Sequence, residues 1–179
     1  VYASNDGTSF IAGASGVNSN QGAAYIYTGA GFNTETKLVA SNPQANASFG
    51  SSVSMNGDGN NVIVGASLED IDGNNNQGAA YVFRLDGTWT EIERLLANDG
   101  MSGDQFGVSV SNSNNGVFAT GASAASVGGN NRQGAAYAFT SITINSGCLC
   151  VSKQGGFIGP TGAQGIVGPT GPQGLSGTT

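Results

Sequence analysis

A five-residue phrase returns three times at one spacing. Gln21-Gly22-Ala23-Ala24-Tyr25, Gln77-Gly78-Ala79-Ala80-Tyr81 and Gln133-Gly134-Ala135-Ala136-Tyr137 stand 56 residues apart on both occasions. Each phrase runs into an apolar tail: Ile26-Tyr27, Val82-Phe83 and Ala138-Phe139. Other words recur in order around it. Phe49-Gly50 and Phe106-Gly107 come upstream, and Gly13-Ala14-Ser15, Gly65-Ala66-Ser67 and Gly121-Ala122-Ser123 come between. A fixed period of this length marks a repeat architecture, in which one supersecondary unit buries its faces only against its neighbours.

Within one period the signals are those of strands. Phe49 to Met55 alternates small and apolar residues, Asn56-Gly57-Asp58-Gly59 is a turn, and Val62-Ile63-Val64 is a second strand. A polar loop, Leu68 to Asn76, leads to a third strand at Gly78 to Arg84. Asp86-Gly87 then turns the chain into a fourth, Thr90 to Leu96. Ala80 and Val82 fall on one face of the third strand, Tyr81 and Phe83 on the other. A strand that is apolar on both faces is expected between two sheets. The expected fold is therefore all-β, with propeller-type four-stranded antiparallel blades in about three repeats. The first repeat lacks its opening strand, and the last offers only Ser141-Ile142-Thr143-Ile144-Asn145 for its fourth. Three blades do not close a ring, which takes about four. Blades before Val1, or neighbouring chains, are expected to supply the rest.

The order Phe-Gly, Gly-Ala-Ser, Gly-Ala-Ala-Tyr-Val-Phe resembles the FG-GAP repeats of integrin α-subunit heads and many bacterial surface proteins, with Gly-Ala-Ser in place of the usual Gly-Ala-Pro. The resemblance spans roughly residues 1–140. It implies propeller blades used for extracellular binding.

From Gly156 the composition changes. Gly156, Gly159, Gly162, Gly165, Gly168, Gly171, Gly174 and Gly177 occupy every third position, with Pro160, Pro169 and Pro172 between them. Such a register suits the crowded axis of three wound polyproline-like chains, where no larger side chain fits. A flexible glycine-rich linker would not hold it. The tail resembles collagen-like triple-helical stalks and would extend about 70 Å. Residues 1–145 thus read as blades, 146–155 as a cysteine-bearing linker and 156–179 as the Gly-x-y segment.

Cys148 and Cys150 sit just before that segment. Bridging each other would take a separation near the upper limit for a disulfide. Bridging between three chains is easier, and resembles the cysteine knots that flank collagen helices. Buried or free thiols, or bonds elsewhere, are the alternatives. Disulfides would imply an oxidising, extracellular setting.

Few functions survive the composition. Charged residues make up 9% of the chain and the net charge is −6, with five Lys plus Arg and no basic cluster, so nucleic acid is not an expected partner. No apolar run is long enough to span a membrane as a helix. With no His, serine–histidine and cysteine–histidine catalysis and histidine metal sites are excluded within this chain. Glu69 with Asp70, or Asp99 with Asp104, could be imagined as a hydrolytic carboxylate pair. Asp-Gly turns explain most of these acids, and no enzymatic activity is expected. The aromatic residues Tyr25, Tyr27, Tyr81, Phe83, Tyr137 and Phe139 could line a sugar site, but their repeat-locked positions favour core packing.

Calcium is the one metal the resemblance brings in. The family's loop resembles Asp-x-Asn-Gly-Asp-Gly-x-x-Asp, and Ser54 to Asn61 matches it only at Asn56 and Asp58; a plain hairpin turn is the alternative. Asp70, Asp72 and Asn74 (with Asn76) form a second oxygen-rich candidate. Asn46-Ala47-Ser48 is a glycosylation acceptor pattern. The expected molecule is a non-enzymatic extracellular structural protein of a cell or virion surface. It would build a filament, fibre or coat as a homotrimer gathered by its tail. The alternative is an adhesion head whose loops Leu68–Asn76 and Ala124–Arg132 bind a host glycan or protein.

Overall fold

The computed structural model of the chain describes residues 1–143, 149–153 and 157–158. Cys148 and the eight glycines from Gly156 to Gly177 lie outside them, and with them all of the expected stalk but Phe157 and Ile158. The described residues form three antiparallel sheets, each running in chain order. The first holds β1 (Tyr2–Ala3), β2 (Phe10–Ala14), β3 (Ala23–Thr28) and β4 (Thr34–Leu38). The second holds β5 (Phe49–Met55), β6 (Asn61–Ala66), β7 (Ala79–Asp86) and β8 (Thr88–Leu95). The third holds β9 (Phe106–Asn112), β10 (Val117–Ala122), β11 (Ala135–Thr143) and β12 (Leu149–Lys153), with β13 (Phe157–Ile158) also paired to β11.

The first repeat, expected to lack its opening strand, has a two-residue one, β1, paired with Phe10 and Ile11. The third departs from expectation. Ser141, Ile142 and Thr143 do not turn back as a fourth strand but prolong β11. No turn residue interrupts this β-branched run until Asn145-Ser146-Gly147, so the strand simply continues. The fourth place is filled by β12, with Cys150 opposite Ile142, and then by β13, with Phe157 opposite Ala136. The stretch expected to be a linker therefore contributes a strand, and Phe157 and Ile158, expected to lie in the Gly-x-y segment, pair in the sheet instead.

The sheets stack because alternate residues of the middle one are apolar on both faces. Val62, Val64, Tyr81 and Phe83 pack with Ile11, Ala24 and Ile26 of the first sheet. Ile63, Ala80 and Val82 pack with Phe106, Phe118 and Phe139 of the third. Ile63 and Val82 are wholly buried, and each such side chain contributes about 1.5–3 kcal/mol.

The recurrent words are where the sheets touch through backbone. Phe49 and Phe106 donate their N–H to the carbonyls of Gln21 and Gln77, at 3.0 and 2.8 Å, across the boundary between sheets. Gly50 and Gly107 follow at φ +87°, a left-handed bulge that glycine adopts without strain. Their carbonyl oxygens then lie so near Gly13 and Gly65 of the preceding sheet that a Cβ there would sit 2.0 Å away in both cases. Phe-Gly, Gln-Gly and Gly-Ala are thus the parts of one inter-sheet joint.

Candidate functional site

The expected calcium positions lie at opposite ends of β6, so they form no single site. Asn56 is buried in the β5–β6 turn, where its Oδ1 accepts the N–H groups of Asn60 (3.0 Å) and Asn61 (2.9 Å). Its Nδ2 donates to Asn60 Oδ1. The equivalent turns are closed in the same way by hydroxyls: Ser4 Oγ accepts from Ser9 N–H, and Ser113 Oγ from Val117 N–H. The position needs one acceptor for the turn, and a serine serves as well as an asparagine. Asp58 reaches across to the next sheet and accepts from Asn114 Nδ2 at 3.0 Å.

The loop after β6 shows the same economy. Asp70 Oδ1 accepts the Asn76 N–H at 2.8 Å, and in the third repeat Ser126 Oγ accepts from Arg132 N–H. Asn74 donates to Gln77 as Asn130 does to Gln133. Asp72 is exposed at the tip, in a left-handed conformation. Calcium asks for six to eight converging oxygens, several of them charged. Here one carboxylate oxygen is already engaged by a backbone N–H, and no third acid is at hand. Among the described residues no group of three or more acids, His or Cys stands together. This donor set does not fit the ion.

Neither imagined carboxylate pair faces a common point. Glu69 is buried while Asp70 is exposed. Asp99 accepts from the Tyr137 hydroxyl, whereas Asp104 accepts the Met101 N–H.

What the sequence concealed is a buried polar triad. Glu69 is 1% exposed and takes the Tyr81 hydroxyl on both carboxylate oxygens, at 2.9 and 2.8 Å. Arg94 of β8 closes an ion pair with it and lies 6.0 Å from the Tyr81 ring centroid. Burial raises the Glu69 carboxyl above its usual range, against the pull of Tyr81 and Arg94. The third repeat has Ala125 at the Glu69 position. There Tyr137 finds its carboxylate in Asp99, at 2.9 Å, from the connection between sheets. Burial first, and then these carboxylates, push both phenols far above the ordinary tyrosine range.

A pH dependence follows. Below about pH 10 the two phenols are neutral whether the chain is folded or unfolded, and their contribution is complete. Above it the unfolded phenols ionise first, so stability falls as pH rises. Urea midpoints between pH 8 and 11 should show this fall, and Tyr137→Phe should flatten it.

The repeat-locked aromatics belong to the core where a sheet covers them. Tyr81, Phe83, Tyr137 and Phe139 are buried. Tyr25 and Tyr27 are half-buried on the outer face of the first sheet, where Phe10 stacks on Tyr27 at 4.8 Å. Cys150 lies on β12. Among the described residues, no helix is long and apolar enough to cross a membrane.

Comparison with known proteins gives one family. No curated protein matches the chain. Among solved structures, a candidate 6-phosphogluconolactonase from Bacteroides uniformis ATCC 8492 shares 15% identity with it. That match covers 82% of this chain and 37% of the other, at a TM-score of 0.46. The chain thus spans little more than a third of that protein, and the likeness is too slight to bring an activity across. The FG-GAP repeat pattern matches residues 32–83 and 89–139, more than half of the sequence. Each match holds the Phe-Gly half of one joint and the Gln-Gly-Ala-Ala-Tyr half of the next. The chain belongs to the FG-GAP repeat family.

Proposed function

We propose that this is a non-enzymatic structural protein of an extracellular filament, fibre or coat. Propeller-type blades, residues 1–145, form its head. A collagen-like tail, residues 159–179 beyond β13, gathers three copies, and Cys148 and Cys150 ahead of it lock them by interchain disulfides. The observation that carries the reading is the unbroken glycine register from Gly156 to Gly177, since three wound chains need glycine at every third place. The paucity of charge suits close lateral packing between heads. Multivalency then sets the affinity of the assembly, because three weakly binding heads on one stalk hold far more tightly than one.

The test is the mass of the native protein. It should correspond to three chains, with a three-chain band on a denaturing gel that collapses to one chain on reduction. A single-chain mass in native solution overturns the proposal.

Adhesion is the second reading. It is favoured by the equal exposed tips that the two loops present on adjacent sheets, each pinched by a small bridge, Ile71 with Asn74 and Val127 with Asn130. Binding of discrete trimers on a glycan array, without filaments, would select it.

A further inference from the structure

The inter-sheet joint is made twice within the chain, and its receiving half is present a third time. In the first two instances the Gln carbonyl accepts from a phenylalanine N–H, and the glycine after that Gln lies under the phenylalanine carbonyl. A Cβ would be 1.9 Å from that oxygen at Gly22 and 2.1 Å at Gly78. In the third sheet the same words stand at Gln133, Gly134 and Gly121, but the contacts differ. Among the described residues, a Cβ on Gly134 would meet nothing nearer than the Ser123 carbonyl at 3.5 Å. Among the same residues, one on Gly121 would meet only the Ser109 side chain of its own sheet. Two adjoining hollows of about 240 and 330 Å³ open here, sharing Ser109, Gly121 and Ala136. Ala136 is exposed, whereas its counterpart Ala80 is wholly buried.

From this we infer that the outer face of the third sheet is a docking site for a β-strand that carries a Phe-Gly step. The strand's phenylalanine N–H donates to the Gln133 carbonyl, and its Phe and Gly carbonyls pass over Gly134 and Gly121, as Phe49-Gly50 and Phe106-Gly107 do over the preceding sheets. The face continues an interface already built twice, and those two instances define what covers it.

Small residues deepen the slot. Ala119 and Ala138 stand where the middle sheet has Ile63 and Val82, so the incoming strand meets room rather than bulk. Main-chain contacts supply the attachment and the Phe-Gly step the selectivity, as when an extended peptide is added to a sheet. The inference does not depend on the proposed stalk, and its failure would leave the three-chain mass untouched.

The experiment adds to the full chain a fluorescently labelled peptide with the sequence of residues 48–55, followed by anisotropy. Hydrogen exchange is read over residues 119–122 and 133–136. Saturable binding in the millimolar range, with slowed exchange at those residues, is the expected result. It should weaken at least ten-fold when the peptide's Phe is replaced by Ala, and again in Ala136→Lys and in Ser109→Lys. The two variants put a charge on the open face from different strands, and each is checked for folding by circular dichroism. Absence of binding overturns the inference, whether the wild type is monomeric or self-associates through this face. So does undiminished binding of the Ala peptide, or undiminished binding by both folded variants.

Discussion

Gly78→Ala is expected to cost about 4 kcal/mol, from a left-handed residue given a side chain and a Cβ driven into a neighbouring backbone. At φ +86° that Cβ would lie 2.1 Å from the Phe106 carbonyl oxygen, and the nitrogen and carbonyl carbon of Phe106 are within 3 Å as well. None of these atoms can swing aside, since Phe106 is held by Gln77 and buried against Tyr137 and Phe139. Single domains have about 5–15 kcal/mol of stability in all, so the variant should lose much of it. The matched control is Gly134→Ala, with the same word and nearly the same φ, +84°, but, among the described residues, no atom nearer to its Cβ than the Ser123 carbonyl at 3.5 Å. It should cost only the conformational part, about 1–2 kcal/mol. Urea denaturation of the pair measures the difference. Equal losses would mean that φ alone explains the glycine, and that the inter-sheet approach is not what the repeat maintains.

Glu69→Ala should cost about 2–3 kcal/mol, because removing the buried partner of a half-buried ion pair strands the rest. The Tyr81 hydroxyl would lose both of its acceptors, and Arg94, whose Nε is already buried without a partner, would lose its carboxylate. The double variant Glu69→Ala, Arg94→Met separates the causes. If the stranded guanidinium carries the loss, the double variant should recover part of it. A variant as stable as wild type would show that the triad is dispensable packing. The readout is the urea midpoint at pH 7, compared with Tyr81→Phe, which removes one hydroxyl and should cost about 1 kcal/mol.

Much of the fold was legible because period and turn chemistry agree. β5 runs from Phe49 to Met55 as read, since Asn56-Gly57-Asp58-Gly59 leaves little freedom over where the strand stops. Faces were legible too: the alternation from Ala80 to Phe83 predicted a sheet covered on both sides, and it is. The end of the third repeat misled, because Ser141 to Thr143 has the composition of a strand and composition does not say whether a strand is new or continued. The oxygen-rich turns were legible as turns, and their resemblance to a metal loop was outweighed by Ser4 and Ser113, which do the same work without a carboxylate. The burial of Glu69 was hidden. Beside Asp70 it could be weighed only as one of a pair of loop acids, and only the fold brings Tyr81 and Arg94 around it. The reason for the recurrent glycines was hidden as well, because a close approach between backbones of different sheets leaves no trace in local pattern.

Tyr81 and Tyr137 hold matching places in their sheets but draw their carboxylates from different directions, one from its own loop and one from the connection that precedes it. The units are therefore not interchangeable cassettes. A shuffled gene that put the third unit first would part Tyr137 from Asp99 and bury an orphaned hydroxyl. Duplication can have made this array, but its present order is locked by who lends a charge to whom.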